Sequence, residues 1–598
     1  MGLHDFLVIE SVVGDYRALI KQGCFFRANR SFDMTARASL NANHKQKKEV
    51  WEKTPCLTLI LYKAIMHVLY HYIKGNLYMA NNSGAKVVLT ASATEMSDYY
   101  NNPFVAFVAG FAKGPVPLWL LRTTLYPPVA HNRNGKARFA PYGLRKVEAL
   151  LLENGFNESE VAVVHPANLD EFVGPNTKVV GISTMDPTGM GYVSKTYSSL
   201  VGGGEPMNAI EFRELVKHRS IRKYKPRVIV GGFGSWQLER KKVAEKYGID
   251  CVIIGGEEKA LTAAFEKAVD GEPLPRVVRA DNGLNDGNVP TIRHAAIHGC
   301  VEISTGCHRN CQFCTPTMQR KVDVPLERIL REVEITTREG ASGITLVTED
   351  LFLYGAKDKR FVPNKEAVLK MIKSVAVCRG VKAIQPSHIS LAPAVCDPSM
   401  VKEVAEVLVD YNWYSHGKKP IVTSETGIET GSVRLIRKYM AGKPLPFKPE
   451  QWKEIVSQAF GILNDNDWYP LATLIVGLPE ENEEDVAETL ELMDDLKGYN
   501  AFYVPLFFVP LENCLLMNRR GAELDSLSKT RWELLIQCWE YNVRIWRDTF
   551  LENRIANPLI CKLVKRVAIP YGAKISGLYY GMRYGKEMRD AIWRMSIA

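Results

Sequence analysis

Three cysteines carry the densest chemistry in the chain. Cys307, Cys311 and Cys314 stand in Cys307-His308-Arg309-Asn310-Cys311-Gln312-Phe313-Cys314, spaced C-x3-C-x2-C, with the aromatic Phe313 directly before the third. Soft thiolate sulfur holds iron in a tetrahedral field, so three thiols on one loop suit an iron–sulfur cluster. Zinc sites and ferredoxin-type clusters recruit four ligands. Three ligands leave one iron open to a substrate or cofactor. On spacing alone, a zinc knuckle or three unrelated core cysteines remain open alternatives.

The cysteines need a scaffold. Val301-Glu302-Ile303-Ser304 reads as a strand, and Thr305-Gly306 turns out of it. From 298 to about 515, apolar runs alternate with amphipathic stretches. Strands are expected at Cys300–Ser304, Gly343–Thr348, Ala383–Ile389, Ile421–Thr426, Ala472–Val476 and Phe502–Phe508. Helices are expected at Leu326–Glu339, Lys365–Cys378, Ser399–Val409 and Glu483–Leu496. Function in such a scaffold sits at the carboxyl ends of the strands.

A second α/β stretch runs from 86 to about 270. It has expected strands at Lys86–Thr90, Val161–His165, Lys178–Ser183, Arg227–Gly231 and Cys251–Gly255, with helices such as Gly143–Asn154 and Glu239–Tyr247. The alternation implies a parallel, doubly wound sheet whose ligand lies outside the strand ends. Three of those ends are glycine-rich: Ser183 to Gly191, Gly231-Gly232-Phe233-Gly234-Ser235-Trp236, and Gly255-Gly256-Glu257-Glu258. Glycine lets a backbone approach a large flat ligand. A turn-rich segment from Pro273 to Pro290 marks a boundary between the two α/β stretches.

The motif C-x3-C-x-aromatic-C after a first strand resembles the radical S-adenosylmethionine (SAM) enzymes. The resemblance implies a [4Fe-4S] cluster on Cys307, Cys311 and Cys314, with SAM chelated at the open iron and cleaved to a 5′-deoxyadenosyl radical. Phe313 belongs to the same motif. Glu349, in Thr348-Glu349-Asp350, loosely matches the position that supports the SAM amino group. Glu425-Thr426-Gly427-Ile428-Glu429-Thr430-Gly431-Ser432 is similar to a G-x-E-x-G-S segment of cobalamin-type members, which implies Gly427 and Glu429 near the SAM ribose. Gly477, in Gly477-Leu478-Pro479-Glu480-Glu481, matches a segment that backs the adenine. Asp350 and Glu480 are equally well explained as acids at helix starts. His388, at the third strand end, either faces substrate or is structural.

The upstream sheet resembles the cobalamin-binding domain that precedes the barrel in one large subclass. That implies cobalamin contacts from Met185, Asp186, Gly189, Gly231, Gly232, Gly255, Gly256 and Glu257. The chain departs from the subclass with Gly-Gly-Glu-Glu where Gly-x-Gly-Glu is usual, and it lacks D-x-H-x-x-G. A corrinoid held without that histidine is implied. The alternative is a Rossmann-like domain whose glycines only shape turns.

The fold expected is therefore α/β. A doubly wound, Rossmann-like cobalamin-binding domain (79–275) is followed by a linker (276–297), a partial (β/α)6 radical SAM barrel (298–515) and a helical C-terminal cap (516–598). Residues 1–78 read either as an extension, disordered or not native, or as a short helical accessory segment around 54–73. In the tail, Trp532, Trp539 and Trp546 recur every seven residues and share one helical face. That stripe reads as core, with a cap over the barrel mouth as the functional possibility.

Composition narrows the class. At 598 residues the chain spans several domains, and its net charge of +10 is spread out, so nucleic acid is not implied. Twelve cysteines, only three of them clustered, fit a reducing cytoplasm and not a disulfide framework. No signal peptide is visible, and the apolar run from Cys56 to Ile73 is broken by Lys63, His67 and His71, against a membrane span.

Segments such as Tyr142-Gly143-Leu144-Arg145-Lys146-Val147-Glu148 and Met185-Asp186-Pro187-x-Gly-Met-Gly look archaeal. They resemble a group that contains a glutamine C-methyltransferase acting on methyl-coenzyme M reductase and the ring synthases of tetraether lipids. The reading is a cobalamin-dependent radical SAM C-methyltransferase with a protein substrate. A lipid ring synthase is the alternative, and an electron donor such as ferredoxin is implied in either case. A corrinoid-free radical SAM enzyme is a third possibility.

Overall fold

The computed structural model describes residues 83–200, 204–255, 258–279, 290–316, 319–357, 360–512, 514–554 and 590. The expectations for residues 1–78, for Gly256 and Glu257, and for the tail beyond 554 lie outside the described residues.

The first sheet has six parallel strands: β1 Val87–Ala91, β2 Val161–Val163, β3 Val179–Ser183, β4 Arg227–Gly231, β5 Cys251–Ile254 and β6 Val277–Arg279. Their order is β2-β1-β3-β4-β5-β6. Strand side chains alternate between faces, and both faces are covered here. Val87 and Leu89 join Leu144, Leu151 and Phe265 on one side. Val88, Val180 and Ile182 join Phe212 and Leu215 on the other. The covering helices are α1 Tyr142–Glu153, α3 Met207–Val216 and α4 Glu258–Asp270, of which α1 and α4 share a face; α2 Tyr192–Leu200, between β3 and α3 in the chain, packs instead on the barrel strand Phe502–Phe507. β6 falls inside the segment expected to be linker. Its Val277 and Val278 pair with Val252 and Ile253 and extend the sheet before the turn-rich stretch begins. The helix expected at Glu239–Tyr247 is regular only over Val243–Tyr247.

The barrel strands are β7 Cys300–Glu302, β8 Gly343–Val347, β9 Ala383–Pro386, β10 Glu425–Glu429, β11 Leu471–Val476 and β12 Phe502–Phe507. Two parallel three-stranded halves, β9-β8-β7 and β10-β11-β12, are joined by a parallel bridge between His388 and Glu425. Helices α5 Leu326–Arg338, α6 Lys365–Ala376, α7 Pro398–Asp410, α8 Trp452–Asp465 and α9 Glu483–Asp495 surround them. Among the described residues β7 does not pair with β12, so the barrel is open on one side. The fourth strand differs from expectation. Tyr414–His416 and Lys419–Ile421 form an antiparallel hairpin around Gly417, and pairing with β11 starts only at Glu425. The acidic segment expected after this strand is therefore the strand itself.

The open edge is β12. Phe502, and Phe508 just past the strand, donate inward to the carbonyls of Pro470 and Val476, so the N–H groups of the odd residues face outward. The Tyr503 N–H donates to Asn542 Oδ1 at 2.7 Å, and Asn542 Nδ2 returns a bond to the Tyr503 carbonyl at 2.6 Å. Pro505 has no N–H to satisfy. The Phe507 N–H donates to Thr196 Oγ1 of α2 at 2.8 Å. Asn542 lies on α10, Lys529–Arg554, which runs along β12. The tryptophan stripe packs as core on that side: Trp539 meets Tyr197, and Trp546 meets His416 and donates to the Ala501 carbonyl. The described part of the expected cap thus flanks the barrel instead of crossing its mouth, because the edge strand needs partners there.

The helix α1 segment noted in the sequence is a docking surface. Tyr142 and Lys146 bind the buried Glu332 of α5 at 2.8 and 2.6 Å. Arg145, only 1% exposed, donates to the Ala295 and Ala137 carbonyls and pairs with Glu148. No helix of the described residues is long and apolar enough to cross a membrane.

Candidate active site

The cysteine loop is held at its base by a short antiparallel ladder, Ser304–Thr305 with Val322–Asp323. Gly306 lies in the left-handed region (φ 67°), and a Cβ there would meet the Arg320 carbonyl oxygen at 2.4 Å, so glycine is required. Inside the loop, the buried Arg309 acts as a strut. Its guanidinium donates to the carbonyls of Gly442, Lys443 and Leu445 and to Asp350, and it stacks over Phe361. Asp350 in turn accepts from the Phe352 and Ser390 amides. It is a cap and an anchor, away from the cavity.

Cys307, Cys311 and Cys314 line one cavity of about 400 Å³ at the carboxyl ends of the barrel strands. Phe313, Glu349, Gly427 and Glu429 line it too, so the residues expected around cluster and SAM come together. Gly477 does not join them: it packs against Ala522. Glu480 is on the surface, paired with Lys438 and Arg519. Glu481 is buried and holds the turn, accepting from the Gly477 N–H at 3.0 Å and from Arg531 at 2.7 Å.

Among the described residues, no three His, Cys, Asp or Glu side chains converge on one point where a single ion would sit. Burial raises the Cys307 thiol, and raises Cys311 to about 11 against the opposing charge of Lys443.

A bulge in β10 between Gly427 and Glu429 sets Glu429 in the cavity, with φ 64°. There Glu429 Oε1 accepts from Lys443 Nζ at 2.9 Å. Lys443 lines the cavity and belongs to no motif; nothing in the sequence singled it out. At the next strand end, His388 Nε2 stands 3.2 Å from Glu425 Oε2. Burial opposes a charge on His388, but Glu425, with Glu349 behind it, raises its pKa to about 9. Glu349 is itself raised by burial, with His388 opposing.

The first sheet reaches the same cavity. Met185, Tyr192, Val193 and Phe233 line it from the loops after β3 and β4 and from α2. Met185 is presented rigidly: Glu95, from the loop after β1, accepts from its amide at 3.1 Å, and Gly234 packs where a Cβ would meet its carbonyl oxygen at 2.1 Å. Burial raises Glu95 to about 7. Asp186 is buried beneath the loop, accepting from the Gly191 amide and from Gln237. Gly189 fits against Pro206. Both residues shape the loop and do not line the cavity.

A second cavity, of about 250 Å³, lies between the sheet and helices α1 and α4. Gly181, Gly231, Gly232 and Gly255 line it, with Leu144, Leu150 and Phe265. A Cβ on Gly181 would meet Leu89 and Phe265 at 2.7 Å, whereas one on Gly231 would meet only Ile253, at 3.8 Å.

The Radical SAM superfamily matches residues 301–493. A tRNA-2-methylthio-N(6)-dimethylallyladenosine synthase of Thermus thermophilus is 26% identical over 309 residues, 51% of this chain and 60% of that protein. A ribosomal protein uS12 methylthiotransferase RimO of Nitratiruptor is 25% identical over 202 residues, 33% of this chain and 41% of that one. The chain thus spans well under the full length of both relatives. Among solved structures, the radical SAM methyltransferase TsrM of Kitasatospora setae, with cobalamin and a [4Fe-4S] cluster, aligns over 72% of this chain and 74% of its own at 14% identity and TM-score 0.46. The cobalamin-dependent radical enzyme OxsB aligns over 86% and 78% at 12% identity and TM-score 0.44. These two are loose likenesses of shape, and nothing about ligands follows from them. The superfamily match coincides with the strands and the three cysteines just described: residues 301–493 are a radical SAM enzyme domain.

Proposed function

We propose that this chain is a cobalamin-dependent radical SAM C-methyltransferase that methylates an unactivated sp3 carbon. The observation that carries the reading is the shared cavity: cluster cysteines on one wall, and Met185 and Phe233 from the strand ends of a doubly wound sheet on another. The residues present fit a corrinoid. Glycine at two strand positions, Gly181 and Gly231, and just past two strand ends, Gly232 and Gly255, lines a cavity beneath the sheet that suits the long arm of such a ligand. When bound, the cluster with SAM supplies a hydrogen-abstracting 5′-deoxyadenosyl radical, and the corrinoid supplies a methyl group.

The chain's own residues bind and enclose. Cys307, Cys311 and Cys314 hold the cluster. Glu349 receives the SAM amino group, and Glu429, braced by Lys443, receives the ribose. The apolar wall of Phe107, Val193, Leu471, Val504 and Leu506 excludes water from the reacting carbon.

For substrate, the resemblance supports a glutamine side chain of methyl-coenzyme M reductase. The relatives' names specify a tRNA and a ribosomal protein, which supports a macromolecular substrate. The same apolar wall favours a second reading, an alkyl chain of a tetraether lipid undergoing ring formation. A cytoplasmic protein served by a ferredoxin-like donor completes the proposal.

The test uses anaerobically reconstituted protein with cobalamin, reductant and methyl-labelled SAM. Label in a peptide, with 5′-deoxyadenosine and S-adenosylhomocysteine, establishes protein methylation. A tetraether lipid two mass units lighter, without transferred label, establishes ring formation.

A further inference from the structure

Two polar clusters stand out in the mostly apolar lining of the cavity. One is the group of cysteines, Lys443 and Glu429. The other lies at the ends of β9 and β10, where His388 and Glu425 of the barrel line the cavity together with Tyr192 of α2, the helix that follows β3 in the chain; Glu425 is the leading charge acting on Tyr192. His388 and Glu425 face each other at 3.2 Å across the bridge that joins the barrel halves. Tyr192 is 41% exposed and lines the cavity. Its main-chain carbonyl accepts from the Thr196 hydroxyl at 2.7 Å, while its own hydroxyl bonds to no described residue. Its hydroxyl stands in the field of Glu425, Cys314 and Glu349.

We propose that Tyr192 and Glu425, with His388 holding Glu425 in place, form the polar end of the substrate cavity and bind a primary carboxamide of the substrate. The Glu425 carboxylate accepts from the amide N–H, and the Tyr192 hydroxyl donates to the amide oxygen. The inference rests on the proposed methyltransferase reading and selects between its two substrates.

Three considerations lead to a carboxamide. An alkyl chain packed here would strip water from an ion pair and a hydroxyl and return no hydrogen bond, which is costly. A carboxylate would meet Glu425 and Glu349. An ammonium would meet His388, whose charge already neutralises Glu425. A neutral group that both donates and accepts satisfies carboxylate and hydroxyl together, and discrimination of this kind is steep because the wrong ligand leaves buried polar groups unpaired.

The experiment measures binding to the reconstituted holoprotein of two synthetic peptides from methyl-coenzyme M reductase. One carries the glutamine, and its twin carries norleucine there. Wild type should bind the glutamine peptide at least about 10-fold more tightly. Tyr192→Phe and Glu425→Gln should each bring the two peptides within about 3-fold while SAM affinity stays unchanged, which shows that the fold persists. Equal binding of the twins by wild type, or undiminished preference in both variants, overturns the proposal. So does a holoprotein that binds neither peptide and converts a tetraether lipid. Failure to take up corrinoid, with the peptide ranking intact, overturns the function reading and leaves this site standing.

Discussion

The Phe507 amide donates to the Thr196 hydroxyl at 2.8 Å, and this bond ties the open edge of the barrel to the helix that brings Tyr192 and Val193 into the cavity. Both residues are buried. Replacing Thr196 by valine keeps the shape and leaves an N–H without a partner, a loss of about 1–3 kcal/mol. Thr196→Val should lower the unfolding midpoint and speed hydrogen exchange at the Phe507 amide, whereas Thr196→Ser should do neither. Unchanged exchange at Phe507 in the valine variant would show that the bond does not hold the edge.

Gly231 is the position from which the second cavity can be filled without disturbing the sheet. Its backbone is not left-handed, and a Cβ would only touch Ile253. Gly231→Leu should therefore fold normally and lose corrinoid, read from the visible absorption of the reconstituted protein, with its iron content intact. Gly181→Leu is the contrasting variant: collision with Leu89 and Phe265 should cost stability as well. Retention of corrinoid by a well-folded Gly231→Leu would remove the second cavity from the proposal.

Cys311 is the most buried of the three thiols. Cys311→Ser should abolish the cluster's absorption and all 5′-deoxyadenosine formation, while corrinoid remains bound, because the glycine-lined cavity belongs to the first sheet. Persistent 5′-deoxyadenosine would mean that the cluster is held elsewhere.

Much of this arrangement was legible because it depends on local pattern. Buried parallel strands announce themselves as apolar runs. Met185 was legible as a loop residue, and the structure puts it in the cavity. What was not legible is long-range. Lys443 meets Glu429 only because a bulge redirects the strand end, and no spacing rule predicts a partner fourteen positions on. Arg309 carries no signal in the sequence beyond its place between two of the cysteines, yet it is buried against three carbonyls of a distant segment. Gly477 and Glu480 sit in a matching motif, but the turn spends them on packing and surface ion pairs. Pro505 was the overlooked clue: a proline in an apolar strand marks an edge, and β12 is one.

Gly427 makes room for the ion pair that braces Glu429. A Cβ there would overlap Glu429 Oε1 at 1.8 Å and Lys443 Nζ at 2.6 Å. Gly427→Ala should push the pair aside and weaken SAM binding by at least about 10-fold, a loss on the scale of about 1.4 kcal/mol, with iron content unchanged. Equal SAM affinity in wild type and variant would detach Glu429 from the cofactor.

His388 gives the site a pH signature. Burial alone would lower its pKa, but Glu425 at 3.2 Å raises it to about 9, above the ordinary histidine value of about 6.5. The folded protein thus binds a proton more tightly than the unfolded chain. The resulting stabilisation is fully present below about pH 6.5, declines above it, and is gone once pH has risen through about 9. Glu425→Gln removes the charge that raises His388, so the stability difference between wild type and variant should be largest at pH 6 and should vanish by pH 10. Denaturant unfolding at a series of pH values reads that difference directly. A difference that stays constant across the range would mean that His388 is neutral beside Glu425, and the carboxylate would then be held by hydrogen bonding alone.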